Sequence, residues 1–107
     1  MAIVDTTRPI TSESCSRMIL QLVQAYPFCR TEELTTTAFG RPVRTLVLGT
    51  GPRKVIFTAA HHANEWITAL VLLKFAEDVC SGAIPEAKRI LDTATIYMVP
   101  MVNPDGV

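Results

Sequence analysis

His62 and Glu65 are the two side chains of this 107-residue chain best suited to chemistry. They lie in Ala59-Ala60-His61-His62-Ala63-Asn64-Glu65-Trp66, a stretch that also holds both histidines of the sequence. Imidazole and carboxylate are good zinc donors, and a catalytic zinc commonly takes three protein ligands and a water. Two donors separated by two residues can face one ion where a strand hands over to a helix. A zinc held there would bring its bound water toward a pKa of ~7 and polarise a carbonyl oxygen. Spacing alone also admits a plainer reading, a surface histidine followed by a helix-start glutamate that complements the helix dipole. Two small alanines at the end of an apolar strand favour the metal reading, because sites in α/β sheets form at the carboxyl ends of parallel strands.

The surrounding sequence must therefore supply a strand before the motif, a helix after it and a neighbouring strand. Lys54 to Ala60 reads as the strand, rich in β-branched and aromatic residues, and its near-continuous apolarity predicts a central position buried on both faces. Residues 65–81 read as the helix. Lys74, Glu77, Asp78 and Ser81 share one face, expected toward solvent, the rest packs on a sheet, and Gly82 ends it. Pro85 suits the start of a short helix that carries Ile90 and Leu91 inward. Thr95 to Val102 reads as a second apolar strand, parallel to the first through a right-handed crossover, with its end beside the motif. Asn103-Pro104-Asp105-Gly106 is a turn signal.

Upstream, residues 1–10 are expected to be a loosely ordered lead-in. Thr11 or Ser12 can cap a helix whose apolar face is Cys15, Met18, Ile19, Leu22 and Tyr26, and Pro27 stops it. Residues 30–39 and 43–48 form a hairpin about Gly40-Arg41-Pro42. Gly49-Thr50-Gly51 lies between two strands and opens no helix, so it reads as a turn and not as a phosphate cradle. The fold class that results is α/β: a mixed sheet with an N-terminal helix, a β-hairpin and a parallel β-α-β crossover.

Composition sets outer bounds. An apolar fraction of 49% with 19% charged residues describes a folded chain of at most one domain. Zero formal net charge gives no electrostatic reason to expect a nucleic-acid or acidic-membrane partner. Residues 1–9 carry no signal-peptide pattern, and the apolar run Ala69 to Leu73 is too short to span a bilayer. Cys15, Cys29 and Cys80 are odd in number and lack C-x-x-C spacing, which reads as reduced thiols in a cytoplasmic protein.

The wider sequence resembles a known family. Ala60-His61-His62-Ala63-Asn64-Glu65-Trp66-Ile67 is similar to the zinc-binding stretch of the zinc carboxypeptidases, the carboxypeptidase A-like family. Val99-Pro100-Met101-Val102-Asn103-Pro104-Asp105-Gly106 resembles that family's next marker, and Gly40-Arg41-Pro42-Val43 its preceding hairpin turn. The A-A-H-H-A-N-E-W wording most resembles the bacterial γ-D-glutamyl-diaminopimelate endopeptidases, which cut cell-wall peptides. The resemblance implies a zinc metallopeptidase acting on peptide bonds, with His62 and Glu65 as the first two zinc ligands, His61 and Trp66 in structural roles, and Asp105 in a turn. Asn64 stands where many carboxypeptidases have an arginine associated with substrate contacts, which points away from their mode of recognition. The resemblance further implies a third ligand, a histidine, and a general-base glutamate beyond residue 107, so the chain reads as the amino-terminal part of such a domain. Such a part would be inactive alone and would self-associate through an exposed sheet edge. Two other readings keep the same residues: a non-catalytic interaction or structural module, and a zinc deacylase of the aspartoacylase-like kind.

Overall fold

Thr11 starts the first helix by a reciprocal pair of hydrogen bonds. Its hydroxyl accepts from the Ser14 amide at 3.1 Å, and the Ser14 hydroxyl accepts from the Thr11 amide at 2.8 Å, which satisfies two otherwise free donors. The computed structural model describes residues 3–106. In chain order the elements are α1 (Ser12–Ala25), β1 (Cys29–Thr36), β2 (Pro42–Leu48), β3 (Arg53–Thr58), a 3-10 turn (Ala63–Glu65), α2 (Trp66–Ser81), α3 (Ala87–Thr93) and β4 (Ala94–Val99). Cys15, Met18, Ile19 and Leu22 are buried on one face of α1, as their spacing predicts.

The four strands form one mixed sheet in the order β1-β2-β4-β3. β1 and β2 are an antiparallel hairpin, running from Cys29 opposite Leu48 to Thr36 opposite Pro42, with an irregularity between Glu33 and Thr35. β4 pairs antiparallel with β2 and parallel with β3, so the expected crossover is present. Leu46 and Met98 stand opposite one another, as do Leu48 and Ile96. These four side chains meet Ile19 and Leu22 of α1 and Leu73 of α2 in a single buried cluster. The α/β class with a hairpin and a parallel β-α-β unit is thus the observed fold.

Three expectations are corrected. First, β3 is an edge strand and not a central one. β4 occupies the place between β2 and β3 and bonds to both, so among the described residues β3 is paired on one side only, and all six of its residues are exposed. Ile56, on the face away from the helices, is 68% exposed. Second, the segment before α1 is not a loose lead-in among its described residues: Val4 and Ile10 are buried, and the amides of Ile3 and Val4 donate to the Glu77 carboxylate. Third, the same contact removes Glu77 from solvent. It is 3% exposed and also accepts from Lys74 Nζ at 3.2 Å. A carboxylate at that depth is tolerable because backbone amides and a cation meet its lone pairs.

The strands bordering the motif are shorter than their apolar runs, ending at Thr58 and Val99. Their extensions remain tied by backbone bonds, Ala59 N–H to the Val99 carbonyl and Val102 N–H to the Ala59 carbonyl, each 3.0 Å. α2 ends at Gly82, which takes φ +82°. α3 begins at Ala87, two residues after Pro85, and its Ile90 and Leu91 are half-buried against the core. The Gly49–Gly51 turn packs under the α3–β4 junction. A Cβ on Gly51 would lie 2.0 Å from the Thr93 carbonyl carbon, so glycine serves close packing there. Among the described residues no helix is long and apolar enough to cross a membrane.

Candidate metal site

The backbone leaves β3 through Ala59 and Ala60, both buried. Ala60 takes φ +52°, a left-handed conformation that costs a residue with a Cβ roughly 1–2 kcal/mol. This turn redirects the chain out of the sheet and into the loop that carries His62 and Glu65. Outliers of this kind persist where surrounding contacts over-determine them, and the contacts are present here. Ala60 N–H donates to Thr68 Oγ1 at 2.8 Å, and the Thr68 hydroxyl donates to the Glu65 carbonyl at 2.7 Å. Glu65 N–H in turn donates to the His62 carbonyl at 3.0 Å. Thr68 therefore bridges the strand end and the first turn of α2, across the base of the loop.

The other wall of the corner is the segment after β4. Asn103 N–H donates to the Ala60 carbonyl at 3.1 Å, and Asn103 Nδ2 donates to the His61 carbonyl at 3.3 Å. Asp105 is engaged by the hairpin. Its Oδ1 accepts from Thr37 Oγ1 at 2.7 Å and from Arg41 Nη1 at 3.2 Å, which ties the turn to the β1–β2 hairpin. The structure thus brings the expected ends of the two parallel strands together, and it engages Asp105 in holding the hairpin.

His62 and Glu65 themselves are exposed, with His62 at the residue preceding the 3-10 turn and Glu65 closing it. Among the described residues neither side chain takes part in a hydrogen bond or ion pair. Their backbones are fixed and their donor atoms are free, which suits two positions in the ligand set of a zinc ion. Among the described residues no group of three or more histidine, cysteine, aspartate or glutamate side chains comes together. The His61 side chain is exposed and its carbonyl is the part that bonds, whereas Trp66 is half-buried against the core. Sequence reasoning passed over Thr68, and it did not foresee the left-handed backbone of Ala60 or the bonds from Asn103 to the loop. The available signal for Thr68 was its being the only hydroxyl among the apolar residues of the first two turns of α2.

Residues 15–107 match the zinc carboxypeptidase family. The chain belongs to that family. The γ-D-glutamyl-L-diamino acid endopeptidase 1 of Lysinibacillus sphaericus is 30% identical over 96 residues, which are 83% of this chain and 24% of that protein. Carboxypeptidase E of Caenorhabditis elegans is 36% identical over 84 residues, 69% of this chain and 18% of that protein. Among solved structures, a metallo-carboxypeptidase from Burkholderia cenocepacia superposes with a TM-score of 0.81 at 29% identity, covering 92% of this chain and 28% of that one. The carboxypeptidase A of Helicoverpa armigera superposes equally well, with a TM-score of 0.81 at 16% identity, a likeness of fold alone. This chain of the zinc carboxypeptidase family therefore spans between 18% and 28% of the length of these relatives. The family resemblance read from residues 60–67 and 99–106 is borne out, and the fold of the matching region is the one observed.

Proposed function

We propose that His62 and Glu65 are two of the protein ligands of a catalytic zinc, in a metallopeptidase that hydrolyses peptide bonds. The observation that carries this reading is their placement. They lie on a braced loop at the carboxyl end of β3, against the segment that follows the parallel strand β4, in a chain of the zinc carboxypeptidase family. When bound, zinc would activate a water and polarise the scissile carbonyl. The chain's own part is to present one imidazole and one carboxylate from a fixed backbone. Thr68 holds the loop closed at its base, and Asn103 holds it from the opposite side. Asn64, beside Glu65, is exposed and offers an amide to substrate in place of a charge.

Within the metallopeptidases, we propose cell-wall peptides with γ-D-glutamyl-diamino acid linkages as the substrate class. The A-A-H-H-A-N-E-W wording supports this, as does a relative named for cutting such linkages. Three free cysteines support a reducing compartment, which we take to be the cytoplasm. The relatives' names as endopeptidase and carboxypeptidases favour peptide-bond hydrolysis over deacylation.

The 107 residues by themselves are proposed to bind zinc weakly and to hydrolyse no peptide, because two ligands fall short of the three typical of catalytic zinc. Equilibrium dialysis against zinc, with circular dichroism to check folding, tests the ligand assignment. Weak zinc binding that disappears in both His62→Ala and Glu65→Gln is expected. Tight stoichiometric zinc left unchanged by His62→Ala would overturn it.

A further inference from the structure

Two of the three thiols meet far from the candidate metal site. Cys29 opens β1 and Cys80 lies in the last turn of α2, 51 positions apart in sequence, and their Sγ atoms are 2.9 Å apart. A disulfide bond is about 2.05 Å long, so roughly 1 Å of sulfur movement separates the dithiol from the bonded pair. Both residues are buried and both are free thiols. Cys80 nevertheless lines an open cavity of about 340 Å³, walled by Phe28, Val79, Gly82, Lys88 and Leu91. The cavity brings solvent up against the Cys80 residue, while Cys29 lies behind it. Cys15 borders only a cavity of about 10 Å³ and meets no other thiol among the described residues; it is buried in the α1 face toward the core, and burial pushes its thiol up to about 12.

We propose that Cys29 and Cys80 are a redox-modification site, forming an intramolecular disulfide by exchange with a low-molecular-weight disulfide. The reaction balances in two displacements. One cysteine of the pair, as thiolate, attacks a sulfur of the small disulfide; a mixed disulfide forms and one small thiolate leaves. The second cysteine, deprotonated, then attacks the protein sulfur of that mixed disulfide. The Cys29–Cys80 bond forms and the second small thiolate leaves. The pair is oxidised by two electrons, the small disulfide is reduced to two thiols, and the two protons from the cysteines are taken up by the leaving thiolates or by solvent. The contact between the two sulfurs, aided by the Arg30 charge, holds Cys29 below the ordinary thiol range, while that contact and burial push Cys80 up. The new bond would tie the start of the sheet to the end of α2. It would close a ring containing β2, β3 and the His62–Glu65 loop. The inference does not depend on the metal assignment.

The experiment treats the folded chain with oxidised glutathione at mildly alkaline pH. It then quenches with acid, counts free thiols in denaturant and maps bonds by peptide mass spectrometry. The count is expected to fall from three to one, with Cys15 the thiol that remains and an intact mass lower by two hydrogens. Dithiothreitol should restore all three. Cys15→Ser should lose both of its remaining thiols in the same way, and needs no change in the pair itself. Three thiols surviving in folded protein, a stable glutathione adduct on either cysteine of the pair, or a bond that includes Cys15 would each overturn the proposal.

Discussion

Thr68 accepts the amide hydrogen of Ala60 at 2.8 Å while donating to the Glu65 carbonyl at 2.7 Å, so one hydroxyl closes the loop that presents both proposed zinc ligands. Thr68→Val keeps the shape and removes both bonds, leaving the buried Ala60 amide without its acceptor. A loss of about 1–3 kcal/mol in urea denaturation is expected, with Thr68→Ser recovering most of it. Zinc affinity should fall in Thr68→Val although neither ligand is changed. Unaltered stability and unaltered zinc binding in that variant would show that the loop is held by other means.

Ala60 pays for its left-handed backbone with a Cβ that glycine would not have. Ala60→Gly is expected to be within about 1 kcal/mol of the parent, its relief of strain offset by the greater freedom of the unfolded chain. Ala60→Val, which places a β-branched side chain at φ +52° in a fully buried position, should cost about 2 kcal/mol or more. Thermal unfolding of the two variants side by side separates the strain from the loss of a methyl contact.

Glu77 anchors the segment before α1 through the amides of Ile3 and Val4. Glu77→Ala leaves those donors without an acceptor and should lower stability by about 1–3 kcal/mol. It should also expose the segment, so that limited proteolysis cuts before Thr11 in the variant and spares the parent. Equal cleavage of both proteins would contradict the anchoring role.

The unpaired edge of β3 and the neighbouring face of α2 carry exposed Val55, Ile56, Phe57, Ile67 and Val71. An edge of this kind is a template for another strand, and we propose a second copy of the chain as its partner. Sedimentation of the isolated 107 residues should show association that rises with concentration. Ile56→Lys together with Val71→Lys should shift it toward monomer. A clean monomer at high concentration in the unsubstituted chain would sink this proposal.

Cys15 gives a pH dependence whose sign can be worked out. Burial raises its thiol from 9.0 to about 12 in the folded chain. The native state therefore keeps a proton that the unfolded state gives up. The associated stability is complete below about pH 9 and is lost as pH rises toward 12. Urea midpoints measured from pH 8 upward should decline in the parent more steeply than in Cys15→Ala. Parallel declines would show that the thiol is not what responds.

Much of the scaffold was legible locally. The α1 stripe, a cap at Thr11 or Ser12, the hairpin and the order of strand, helix and strand all follow from short-range patterns of apolar spacing and turn residues, and the structure settles the cap on Thr11. The position of β3 was not, because a run such as Val55-Ile56-Phe57 states that both faces are apolar and says nothing about which strand lies beside it. The burial of Glu77 was also hidden. Its place among Lys74, Asp78 and Ser81 looks like a solvated face until the segment at Ile3 and Val4 crosses it.

The sequence by itself determined the family and the α/β class, and it singled out His62 and Glu65 as the proposed ligands, because each rests on residue types at fixed separations. Only the tertiary structure decided what holds that pair in place. The Thr68 brace, the Asn103 contacts and the left-handed turn at Ala60 join residues whose meeting depends on where β3, β4 and α2 come together. The same is true of Cys29 and Cys80, adjacent only because the sheet's first strand starts where the long helix ends. Contacts of this range have no local pattern to announce them, since packing of the whole core sets the distance between their atoms.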